Sequence, residues 1–295
     1  MDIKGLALQT VSYLHKNKVE RNYHEPVPSM GILQHHAPSQ ISPTIYEPVI
    51  CLILQGRKET YMGKTTFALS PGKSLLVSHD LPVTSQITKA SRKTPYLALV
   101  LSLDLRLLRS LYEEVSEAFT NVELSTTCSM AVDSADPRFV DTLSRYLRLA
   151  DDPLEQKVMG PLILREIHFR LLMAKYGGML RELLRHDSHA SNIARAIAIL
   201  RRNFRTSMSV PDLARSIGMS SSSFHKHFRA ITASTPLQYQ KKLRLHEARR
   251  LLSVGDQAVS TIAYEVGYES PNQFSREYTR MFGASPSAHL NTAAI

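Results

Sequence analysis

Ala214-Arg-Ser-Ile-Gly218-Met-Ser220-Ser-Ser-Ser-Phe224-His-Lys-His-Phe228 and Ala263-Tyr-Glu-Val-Gly267-Tyr-Glu-Ser270-Pro-Asn-Gln-Phe274-Ser-Arg-Glu-Tyr278 are two copies of one pattern. In each, a small alanine allows close helix packing and a glycine permits a left-handed turn. A serine then caps a following helix, and two aromatic residues at i, i+4 anchor that helix to a core. These are the parts of a helix-turn-helix. The offset is 49 residues at Gly218/Gly267 and 50 at Phe224/Phe274, Phe228/Tyr278 and Pro236/Pro286. The extra residue falls in the second turn. Two such units in one small domain predict two probes for neighbouring turns of a DNA major groove.

Charge follows the repeat. The chain of 295 residues carries a formal net charge of +10. From Ala190 onward there are 14 Lys and Arg against 6 Asp and Glu, a net of +8, and the remainder holds only +2. Basicity concentrated on paired helix-turn-helix units predicts phosphate neutralisation rather than general solubility. Two cysteines, Cys51 and Cys128, form no CxxC, which argues against a disulfide framework and fits a reducing cytoplasm. Met1 to Lys18 does not read as a signal peptide, and no apolar run approaches the roughly 20 residues that span a bilayer. The expectation is a cytoplasmic, nucleoid-associated protein with no membrane partner.

Upstream, short apolar runs recur between turn residues from Tyr23 to Ser102: 31–33, 49–54, 66–69, 74–77, 83–87 and 96–101. That spacing predicts a β-sandwich or barrel. From Asp104 to about Arg185 the period becomes helical. Leu103, Leu107, Leu111, Val115 and Phe119 mark one helix, and Phe139, Leu143 and Leu147 a second. Val158, Leu162, Ile167, Leu171 and Leu172 mark a third, expected to end at Gly177-Gly178, before a short apolar helix over 179–184. His186 to Asn192 is small and polar and reads as the linker. The boundaries are thus 1–187 for a front domain (strands 23–102, helices 103–186) and 188–295 for a helical domain with units at 209–230 and 260–281. The fold class is α+β in two domains. Leu237 to Leu252 predicts a long helix that joins the two units rigidly.

The repeat resembles the DNA-binding domain of the AraC family of bacterial transcription regulators, most clearly at Gly267 to Arg276 and Phe282-Gly-Ala-Ser-Pro286. The front half resembles the N-terminal domain of one AraC-type subgroup at Glu47 to Lys58, Ser70-Pro-Gly72 and Lys93 to Leu99. That resemblance implies a cupin-like barrel followed by helices. It also implies a sensing and dimerising role, an activator that contacts duplex DNA and RNA polymerase, and a small-molecule or reactive effector. Helical geometry turns Phe224, Phe228, Phe274 and Tyr278 inward. The family pattern then puts Ser222, His225, Lys226, Asn272, Gln273 and Arg276 on the base-facing side. Arg276 suits guanine, and Asn272 or Gln273 suits adenine. Arg229 and Arg280 lie further along and suit phosphates. Ser220 to Ser223 is small and featureless, so the first unit is expected to read fewer bases.

For the front half, Cys51 and His79 are the candidate effector-contacting residues. Cys51 is a candidate reactive thiol with Arg57-Lys58 nearby in sequence. His35 and His36 are adjacent on a strand and point to opposite faces, so they cannot share a site. No His-x-His with a later Glu, no Ser/His/Asp pattern and no phosphate-binding glycine loop supports a metal, a cofactor or catalysis. A nonspecific architectural binder would call for wedge residues and diffuse charge rather than two capped helices.

Overall fold

The computed structural model describes residues 1–119, 128–255 and 257–293, with side chains through Leu290. Helix α1 (Ile3–Lys16) precedes nine strands. These are β1 (Tyr23–Val27), β2 (Met30–His35), β3 (Ser42–Tyr46), β4 (Val49–Gln55), β5 (Arg57–Met62), β6 (Thr65–Leu69), β7 (Lys73–Val77), β8 (Leu81–Lys89) and β9 (Tyr96–Ser102). Then come α2 (Leu105–Val115), β10 (Met130–Ser134), α3 (Pro137–Arg148), α4 (Pro153–Met173) and α5 (Gly177–Leu184). The tail is all helix: α6 (His189–Asn203), α7 (Val210–Ser216), α8 (Ser221–Thr232), α9 (Pro236–Val254), α10 (Val259–Glu265), α11 (Pro271–Phe282) and α12 (Pro286–Ala293).

The strands form two antiparallel sheets, ordered β1-β2-β9-β4-β7-β10 and β3-β8-β5-β6. The first is buried on both faces. Leu52, Leu97, Leu99 and Leu101 face α1 to α5, and Cys51, Ile53, Tyr96 and Ala98 face the second sheet. This double burial is why β4 and β9 read as unbroken apolar runs rather than as alternation. The expected cupin-like barrel takes the form of two facing sheets. Among the described residues no strand ladder joins one sheet to the other.

Every predicted apolar run is a strand, and β1, β3, β5 and β10 join them. Gly177-Gly178, expected to end the third helix, instead opens α5, because α4 stops at Met173 and Ala174 is extended. The linker is shorter than predicted: Ser188 already caps α6, its Oγ accepting from Ser191 N at 2.9 Å. Cys128 is half-buried, and the polar stretch just before it, 125–127, lies outside the described residues.

The tail has two small cores. Ile193, Ile197, Leu200, Leu213, Phe224, Phe228 and Leu243 close the first unit, and Leu245, Ala248, Leu252, Ile262, Phe274 and Tyr278 close the second. Helix α9 contributes to both, so the units share a rigid element.

Candidate nucleic-acid interface

Local chemistry builds each unit. Ser209 Oγ accepts from Asp212 N at 3.4 Å, Ser220 Oγ from Ser223 N at 3.3 Å, and Ser270 Oγ from Gln273 N at 3.4 Å, so α7, α8 and α11 each begin on a serine cap. Helix α10 begins at Ala258 with no side-chain cap. The two turns pass through Gly218 at φ +75° and Gly267 at φ +93°, where an L side chain is strained. Phe224, Phe228, Phe274 and Tyr278 are all fully buried, with ring pairs 5.4 and 5.5 Å apart. These anchors fix the rotation of α8 and α11 about their axes, and so decide which side chains face outward.

Ser222, His225, Lys226 and Arg229 on α8 are exposed, as are Asn272, Gln273, Arg276 and Arg280 on α11. Among the described residues no carboxylate pairs with Lys226, Arg229, Arg276 or Arg280. Nearby cations are engaged: Arg215 pairs with Asp212 at 3.1 Å, Lys241 with Glu277 at 2.8 Å and Arg250 with Glu247 at 2.9 Å. These four unpaired cations are therefore free to exchange counterions for phosphate.

Arg244, which ends the basic run Lys241-Lys-Leu-Arg244, and Gln240, just before that run, turn inward, which the sequence did not announce. Arg244 donates to four carbonyls: Gly267 at 2.6 Å, Phe204 at 2.7 Å, Thr206 at 3.1 Å and Arg205 at 3.4 Å. Gln240 Nε2 adds bonds to Thr206 O at 2.7 Å and Phe204 O at 3.1 Å. Together they tie α9 to the α6–α7 loop and to the turn of the second unit. The signal available in sequence is a polar pair four residues apart on a helix that is apolar elsewhere on that face. It reads equally well as a solvated stripe.

The helical tail is docked on the outer face of the second sheet. Ile45 of β3 packs into the core of the first unit, and Tyr239 Oη donates to Asp80 O at 2.9 Å. Arg201 bridges Asp80 and Glu47, the latter at 2.6 Å. Burial pushes the Asp80 carboxyl up while Arg201 pulls it down. Ser129 Oγ donates to Ile231 O.

His79, expected among effector-contacting residues, is part of this dock. Its Nε2–H donates to Ala190 O at 3.1 Å, which leaves Nδ1 to accept from Ser78 Oγ at 2.8 Å. Both ring nitrogens are used by the protein, and burial holds the imidazole down at about 4, so it is neutral at neutral pH. Cys51 lies between the sheets. Burial pushes its thiol up, against the pull of the Lys58 ammonium, so it is not a thiolate. Tyr96 Oη is buried in the same interior, against the Cys51 thiol. The His35 ring is tilted by 55° against Tyr96, with centroids 6.4 Å apart, and His36 is exposed.

A family pattern described as the N-terminus of AraC-type transcriptional regulators matches residues 26–179, and a helix-turn-helix domain pattern matches residues 213–292. The HTH-type transcriptional regulator CdhR of Pseudomonas aeruginosa is 33% identical over 141 residues, 48% of this chain and 39% of that protein. The regulator ExsA of the same organism is 23% identical over 248 residues, 82% of this chain and 85% of that one. The match spans 39–54% of the length of CdhR and two further curated regulators. The structure of ToxT from Vibrio cholerae with an unsaturated fatty acid bound superposes with a TM-score of 0.59 at 11% identity, over 90% of this chain and 96% of that one. At that identity the likeness is one of fold.

Proposed function

We propose, from the premise that the chain belongs to the AraC-type transcriptional regulators, that it is a sequence-specific DNA-binding regulator and an activator rather than an enzyme. Its two reading heads take consecutive major-groove faces of a duplex, and an activator of this kind meets RNA polymerase there. The carrying observation is the pair of capped, aromatic-anchored helices whose outward cations have no carboxylate partner among the described residues. Ser222, His225, Lys226, Asn272, Gln273 and Arg276 form the base-facing set, and Arg229 and Arg280 hold phosphates. Arg276→Ala is expected to weaken binding of the selected site by roughly 1–3 kcal/mol and to relax one base preference, with the log–log salt slope remaining steep. Unchanged affinity and unchanged preference in an anisotropy titration would remove Arg276 from the set.

The dimer seam is assigned to α4. Leu154, Val158, Leu162 and Met173 are exposed on a helix that buries Ile163, Ile167 and Leu171 on its other side. An exposed apolar stripe about five turns long on a buried-face helix fits a second copy of the same helix. Leu162→Glu is expected to convert a dimer to a monomer in sedimentation at micromolar concentration. A monomeric wild type would dismiss the seam.

The effector is a small carboxylate with a short apolar tail. A cleft of about 270 Å³ lies between the sheet and the helical tail, walled by Pro43, Pro82, Val83 and Met281 and containing Lys242. Burial pulls the Lys242 ammonium down, and it has no hydrogen-bond or ion-pair partner among the described residues. The fatty acid held by ToxT belongs to the same chemical class. Octanoate is expected to raise the Tm of the wild type and not of Lys242→Met. No shift in the wild type would sink this assignment. Cys51, a buried neutral thiol facing the Tyr96 hydroxyl, takes no part in this assignment.

A further inference from the structure

Ser270-Pro-Asn-Gln273 has the spacing of a capping box, in which a glutamine at the third helical position folds back onto the cap's own N–H. The Gln273 side chain does something else. Its Nε2 reaches forward one turn and donates to Glu277 Oε1 at 3.1 Å. The same carboxylate accepts from Lys241 Nζ at 2.8 Å and from Tyr268 Oη at 2.8 Å. Lys241 sits on α9 and Tyr268 in the turn before α11, so Glu277 is fixed from two other elements before Gln273 reaches it. Burial raises the Glu277 carboxyl, and the bonds from Lys241, Gln273 and Tyr268 together lower it below its ordinary range, so it is ionised.

An ionised carboxylate only accepts hydrogen bonds. The Gln273 amide must therefore turn its NH2 toward Glu277. Its carbonyl oxygen and one remaining N–H are left for a ligand, in a fixed order. Adenine presents an N7 acceptor and an N6 donor in the major groove, the complement of that order. A free glutamine amide rotates by half a turn at little cost and offers the opposite order as readily. The first unit has no such device. The matching positions are Ser223 and His227, and the His227 ring stacks on His189 at 3.7 Å.

We propose that Glu277 is a positioning residue: it locks the Gln273 amide so that the second reading head demands adenine at one base position. This rests on the DNA-reading role proposed above for Gln273. The experiment is selection of sites from random duplex DNA by the full chain, followed by anisotropy titration of the selected duplex and its single-base variants. Wild type, Glu277→Gln, Gln273→Asn, Gln273→Ala and the double variant Glu277→Gln/Gln273→Ala are compared. Gln273→Asn keeps the amide, shortens it beyond reach of Glu277 and leaves the bonds of Glu277 to Lys241 and Tyr268 in place. It therefore tests the idea even if Glu277→Gln folds poorly.

The expected result is a drop of about tenfold in adenine preference at one position in both Glu277→Gln and Gln273→Asn. Preferences contributed by the first unit stay as they were, and the double variant matches Gln273→Ala. An unchanged preference in Gln273→Asn, an equal loss at every position, or a further change at that position on adding Glu277→Gln to Gln273→Ala would overturn the inference alone. A wild-type chain that selects no sequence would overturn the DNA-reading function itself, and this inference with it.

Discussion

Gly267→Ala is expected to unfold the second reading unit, whereas Gly218→Ala leaves the first standing. The two glycines occupy the same place in the repeat and both have positive φ, +93° and +75°. Their surroundings differ. A Cβ on Gly267 would lie 2.1 Å from the Arg205 carbonyl oxygen and 3.0 Å from Arg244 Cζ, whereas a Cβ on Gly218 meets nothing within 4 Å. At Gly218 alanine costs only the left-handed backbone, about 1 kcal/mol. At Gly267 the obstacle is main chain held by Arg244, so the loop must move, and the cost exceeds about 3 kcal/mol. Urea melts of the two variants separate these outcomes. Equal losses of stability would mean that the α6–α7 loop yields freely, against the packing described here.

Arg244→Met is the second large effect. The guanidinium serves four carbonyls from two segments, and removing it leaves those groups facing a methionine in a half-buried site. Hydrogen bonds from a charged donor contribute roughly 1.5–3 kcal/mol each and do not add simply, so a loss of about 3 kcal/mol is expected. Arg244→Lys should recover little of it. A lysine ammonium is a point donor and cannot span the fork from Gly267 to Phe204. Specific DNA affinity should fall with stability at 37 °C, although Arg244 need not touch the duplex. A denaturation midpoint within experimental error of wild type would refute the assigned role.

What the sequence showed plainly was whatever is encoded locally. The serine caps, the turn glycines and the aromatic pairs are all set within a dozen residues, and they lie where the repeat puts them. Strands buried on both faces, such as Val49–Gln55, were legible because their runs are continuous. Strand Arg57–Met62 was not, because it reads Arg-Lys-Glu-Thr-Tyr-Met, with four polar residues in a row and no apolar run. Strand Ser42–Tyr46 is a sheet edge with Pro43 in it, a weak signal by nature. Strand Met130–Ser134 pairs with Lys73–Val77, far away in sequence, inside a stretch of helical period. Long-range partners are the least legible of all. His79 meets Ala190 across 111 residues, and Arg201 meets Glu47 across 154. Nothing near His79 distinguishes a domain pin from a ligand contact. The eight outward residues of the two reading helices were identifiable because helical period and the anchors fix them. The tether between Gln273 and Glu277 was hidden behind a spacing that also describes an ordinary helix cap.

Because helix α9 belongs to both small cores, the two units are geared together like teeth on one shaft. One residue inserted into it would advance the second unit by about 1.5 Å and turn it by about 100°. The corresponding error in the operator is a single added base pair between the two boxes, a rotation of about 34–36°. The shaft has no hinge with which to absorb that misphasing, so the operator should keep a strict centre-to-centre spacing while tolerating wide variation in the letters between the boxes.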